Sequence, residues 1–115
     1  MRYPCEEPGF EGNWIEVDLA WTRAEWRAFW STETDRDATL ALIQSKVTTC
    51  NLERIGQPPL TIGSELTEEA LDQVDIRLYM WFTSVTLRAA QDINNAGEAL
   101  RRKLFAISET TIPAA

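Results

Sequence analysis

Residues 40–64 read LALIQSKVTTCNLERIGQPPLTIGS. Leu40, Ile43 and Val47, spaced i, i+3, i+7, make the apolar stripe of a helix that is capped within the polar run Thr32 to Asp37 and ends near Cys50-Asn51. Glu53 to Ser64 then carries Gly56, Pro58, Pro59 and Gly63, which break any helix. A connection of this length in a compact domain usually has a function or short extended structure of its own, so it reads as a protruding or sheet-forming connection. Taking the first half of the stretch as helical makes the domain mainly α.

The flanks extend that reading. Thr67 caps a further helix, with Leu66 and Leu71 as its hydrophobic staple and Glu68, Glu69 and Asp72 where the positive helix end favours carboxylates. Its stripe runs Leu71, Val74, Leu78, Trp81, Phe82 and Val85. Leu87, Ile93, Ala96, Leu100 and Leu104 continue the period, as one kinked helix or two helices meeting near residue 85. The β-branched residues among Thr83 to Thr86 are the expected bend. Upstream, Thr22-Arg23-Ala24-Glu25 is a capping box with Trp21 and Trp26 as its staple, and Trp26, Phe29 and Trp30 share one helical face. Before it, Ile15, Val17 and Leu19 alternate with Glu16 and Asp18 as a half-buried strand. A lone strand is unstable in water, so it pairs with the arm around Tyr3, with Leu60 to Ile62, or with another copy.

The expected fold is therefore mainly α: a small helical domain of three to five helices with a short N-terminal strand and room for a minor β-hairpin. Its 115 residues fit a single domain, with 1–12 an irregular arm broken by Pro4, Pro8, Gly9 and Gly12, 13–106 a helical core and 107–115 a frayed tail. Hydrophobic residues at 44% supply enough material for a real core.

Composition narrows function. With 18 acidic against 11 basic side chains the net charge is −7, which repels nucleic acid and anionic membrane surfaces. Arg101-Arg102-Lys103 is the main basic cluster, and cations suit the last turns of a helix. No run reaches the roughly 20 apolar residues of a membrane span, and the opening residues hold no apolar signal core, so the expected location is the cytoplasm. Cys5 and Cys50 read as free thiols.

The chain has no histidine, which removes the commonest general base and metal ligand. Phosphate-cradling glycine loops, C-x-x-C and G-x-S-x-G are absent too. The acidic cluster is Glu65, Glu68, Glu69, Asp72 and Asp75, of which Glu68, Asp72 and Asp75 at i, i+4, i+7 share a helical face and resemble one half of a magnesium site. The all-α nucleotide pyrophosphohydrolases need a second acidic pair on a facing helix, and only Asp92 and Glu98 are on offer. The reading is a non-enzyme with no catalytic residue, no metal site and no cofactor. Trp14, Trp21, Trp26, Phe29 and Trp30 are the candidate partner-binding residues, because a short helix and a strand hardly bury four indoles; a core of large side chains is the alternative.

Gly12-Asn13-Trp14-Ile15-Glu16-Val17 followed by Trp21-Thr22-Arg23-Ala24-Glu25-Trp26 resembles the opening of tail assembly chaperones of long-tailed bacteriophages, in which an early strand leads into a T-x-x-E helix. The remainder is similar in size, acidity and helix content, including the aromatic stretch Asp75 to Phe82. The resemblance implies a non-virion helper in the host cytoplasm that coats the hydrophobic, helical tape measure protein while tail tube subunits assemble round it. A frameshifted longer form is common in that family. Only Trp14 to Asp18 and Thr22 to Glu25 match its pattern, and neither marks a contact site; the high tryptophan content departs from it. Tape measure protein is then the partner, tail tube protein a second, and homo-oligomers are allowed. Rival readings are a phage neck or tail structural protein, an acidic antitoxin-like inhibitor, and the small magnesium-dependent pyrophosphohydrolase.

Overall fold

A computed structural model describes residues 1–31 and 36–111, apart from the side chains of residues 36 and 107–111. Strand β1 (Arg2–Pro4) pairs antiparallel with β2 (Trp14–Val17), β2 with β3 (Val47–Arg54) and β3 with β4 (Gln57–Ile62), giving a four-stranded sheet in the order β1-β2-β3-β4. Helices α1 (Arg23–Trp30) and α2 (Arg36–Lys46) connect β2 to β3. After β4 come a 3-10 turn, the one-turn helix α3 (Glu68–Leu71) and the long helix α4 (Ile76–Thr111).

The mainly α expectation is overturned, because the antiparallel sheet makes the fold α+β. The cause lies in residues 47–52. Val47 fits a helical i+7 spacing, yet Val47-Thr48-Thr49 are consecutive β-branched residues that prefer a pleated surface. Helix α2 accordingly stops at Lys46, short of Cys50-Asn51, and β3 begins at Val47. Gly63 fixes the corner, since a Cβ there would strike the Val47 carbonyl oxygen. The proline-rich connection is β4, entered through a tight turn in which Gly56 takes φ +72°, a left-handed value that favours glycine. Both edge strands contain proline: Pro4 in β1, Pro58 and Pro59 in β4.

The strand pairing of β2 involves the Tyr3 segment, as one of the expected options, with Tyr3 opposite Ile15. Residues 2–4 of the expected irregular arm thus belong to the sheet. Buried Asn13 stitches the return: its side-chain amide donates to the Phe10 carbonyl (2.9 Å) and Glu53 (2.8 Å), and its oxygen accepts from the Glu53 N–H at 2.8 Å.

Alternation sends Tyr3, Ile15, Val17, Cys50, Leu52 and Leu60 to one sheet face, where they meet Leu78, Phe82, Val85 and Ala89 of α4. The Tyr3 hydroxyl donates to Asp92 at 2.6 Å, fastening β1 to the same helix. Both thiols are buried and unbridged, and burial raises Cys50 to about 11. The helix expected to start at Thr67 exists for a single turn, with Thr67 accepting from the Ala70 N–H. The chain then breaks, and Asp75 caps α4 by accepting from the Arg77 N–H at 2.8 Å. No break falls near residue 85, and α4 runs on past the expected end at 106 to Thr111. Of the run Thr32 to Asp37 expected to hold the N-cap of α2, residues 32–35 lie outside the described residues, as do residues 112–115 of the tail. Among those described, no helix is long and apolar enough to cross a membrane.

Candidate functional site

Helix α1 begins as its residues dictate. The Glu25 N–H donates to the Thr22 hydroxyl (3.1 Å) and the Thr22 N–H to the Glu25 carboxylate (2.8 Å), completing the capping box. Lys46 at the end of α2 then ties α1 down, reaching Glu25 at 2.9 Å and the Ala20 carbonyl at 3.0 Å. The Thr22 hydrogen bonds first, and Lys46 second, hold the Glu25 carboxyl below its usual range. The Trp21 indole N–H donates to the Asp18 carbonyl at 2.7 Å. Polar lashings thus fix a helix in which no residue is fully buried.

On it the aromatics interlock edge to face. Trp21 meets Phe29 at 5.4 Å between ring centroids, Phe29 meets Trp30 at 5.1 Å, and Trp30 meets Trp26 at 5.7 Å. The structure therefore brings together Trp21, Trp26, Phe29 and Trp30. Trp14 stands apart on the outer sheet face beneath the Arg2 guanidinium, 3.9 Å from its ring centroid. None of the five tryptophans is buried, and Trp30 is 51% exposed. The core is aliphatic, with Tyr3, Phe10 and Phe82 its aromatic members.

Phe29 and Trp30 form one wall of a groove of about 950 Å³ that opens between α1–α2 and α4. Leu40 and Ile43 of α2 continue that wall, and Leu71, Tyr79 and Phe82 face it. The sequence placed Leu40, Ile43, Leu71 and Phe82 in buried stripes, and Tyr79 in none. The signal that could have found them is excess: α2 and α4 carry more large apolar side chains than one small sheet covers. Thr83 and Thr86 also line the groove, but their hydroxyls donate back to helix carbonyls at 2.8 and 2.7 Å. Glu68 and Asp72 sit on its border and are its charged lining among the described residues. Asp75, the third member of the acidic face, is bound to the Arg77 guanidinium at 3.1 Å, and these contacts lower its pKa. Among the described residues no group of three or more histidine, cysteine or acidic side chains is placed to hold a metal ion.

An open trough with aromatic and aliphatic walls, in which the Thr83 and Thr86 hydroxyls are engaged, is suited to receiving apolar surface. Comparison with protein-family models, curated proteins and solved structures finds no match to this chain.

Proposed function

We propose that this chain is a non-enzymatic binding protein that holds an apolar helical segment of another protein in the groove between α1–α2 and α4, as a tail assembly chaperone holds the tape measure protein. The observation that carries the reading is that Trp21, Trp26, Phe29 and Trp30 form a joined aromatic surface outside the core, beside a trough of about 950 Å³. Rigid aromatic side chains bury large area at low entropic cost, which suits a holder of amphipathic helices. The net charge of −7 keeps a carrier of sticky segments dispersed, and the acidic border argues against a nucleic-acid ligand. A helper of this kind works in the host cytoplasm before the tail is complete.

Intrinsic tryptophan emission and acrylamide quenching, recorded with and without a helical tape-measure fragment, test the reading. The fragment is expected to shield the indoles, and Trp30→Ala to weaken binding by about tenfold as an exposed aromatic anchor. Quenching that a saturating fragment leaves unchanged would remove the basis for the proposal.

A further inference from the structure

Helix α4 outruns the body it packs on. Every residue from Asn94 to Ala106 is exposed, and the molecule measures 70 × 32 × 19 Å. Yet this projecting stretch is patterned as a packing surface. Tyr79, Thr86, Ile93 and Leu100 recur every seven residues, and Thr83, Ala90, Gly97 and Leu104 follow each by four, so they share one face. In the first half Tyr79, Thr83 and Thr86 line the groove and Ala90 is buried; in the second, Leu100 is 61% and Leu104 59% exposed. Beside them stand Arg101, Arg102 and Lys103.

We propose that the projecting half of α4 seats in the groove of a second copy of this chain, and that the second copy's α4 returns the contact. The inference rests on reading the groove as a helix receptor and names what fills it when no other segment is bound. Charge selects the occupant. The groove's charged lining residues among those described are Glu68 and Asp72, and the projecting half brings three cations. Tail against tail would set two trios of cations together, whereas tail in groove sets them against acids.

Length agrees. The groove wall from Ile76 to Leu87 and the projecting stripe from Ile93 to Leu104 each advance about 16 Å at roughly 1.5 Å per residue. Laid antiparallel in the groove, the projecting stripe brings Leu104 beside the partner's Tyr79 and Leu100 beside the partner's Thr83. Such an interface is isologous and closes, filling both grooves at once. Gly97 on the projecting half lets a helix approach closely, since nothing lies within 4 Å of the position a Cβ there would take.

Sedimentation equilibrium of the pure full chain, with far-UV circular dichroism as the control for folding, gives the test. The parent is expected to be a dimer. Arg101→Glu with Arg102→Glu, and separately Glu68→Lys with Asp72→Lys, should each weaken dimerisation by about tenfold or more. An equimolar mixture of the two variants should recover the dimer, because each tail then meets a rim of opposite sign. A parent that stays monomeric at every concentration, or variants that fail to complement while keeping the parent's helix content, would overturn the proposal. The tail-reversed variant retains its groove, so its binding of a tape-measure fragment tests the function reading separately. Fragment binding to a parent that never dimerises would defeat this inference and spare that reading.

Discussion

Phe82 and Leu100 lie five turns apart on one face of α4, and Phe82 is 3% exposed while Leu100 is 61% exposed. The first half of the helix has a sheet beneath it; the second has none. Helix α1 behaves like the second half, with no fully buried residue and a hold that is polar: a cap, an indole hydrogen bond and the Glu25–Lys46 pair. An amphipathic period therefore states which face of a helix is apolar and leaves open what covers it. Elements held by burial and elements held by caps and pairing answer differently to the same kind of substitution.

The widest gap is expected at Leu78, which is fully buried. Leu78→Ala should cost about 2–5 kcal/mol in urea unfolding, the range for an aliphatic truncation in a packed core. A loss below about 1 kcal/mol would mean that the sheet and α4 do not form the core described. Thr22→Ala comes next: removing the cap should loosen α1 by about 1 kcal/mol. Because α1 carries Trp26 and Trp30, tryptophan emission in that variant should change at lower urea than the far-UV signal. Coincident transitions would show that α1 unfolds only with the core.

Smaller still is the acid response of Glu25. Its carboxyl titrates below the unfolded value of roughly 4.3, so its contribution is complete above that value and disappears as pH falls through the lower, folded one. Glu25→Gln should flatten the pH dependence of the tryptophan signal below about pH 4.3, while the parent loosens there. A parent signal independent of pH in that range would break the argument. The smallest effect is expected at Leu100, where Leu100→Ala in dilute, monomeric protein should change stability by less than about 0.5 kcal/mol. Amide exchange on the same sample should protect residues 76–90 far more than 94–106. Equal protection would show that something in the monomer covers the second half.

What the sequence disclosed follows the same division. The capping box at Thr22 and Glu25 is local chemistry written in adjacent residues, and it stands as read. The partner of β2 was open among three segments because pairing is non-local; Tyr3 is one neighbour, and the other neighbour, β3, was hidden in an apparent helix. Val47 fits both a helical period and a strand, and its β-branched neighbours Thr48 and Thr49 were the signal against the helix. Of the candidate site, the aromatic helix was visible as a cluster of indoles. Its opposite wall at Leu71, Tyr79 and Phe82 was not, since a groove exists only once α4 has been laid against the sheet. Trp14 was grouped with the others by proximity in sequence, and strand alternation carries it to the far face.

The prolines at the sheet's edges bear on how copies of this chain can meet. Pro4 on one border and Pro58 with Pro59 on the other have no N–H to offer an incoming strand, so neither border templates continued strand addition. Fibril growth along the sheet is blocked at its first step, and the routes left for assembly are side-chain surfaces on helices, where contacts form and release without re-registering a backbone ladder.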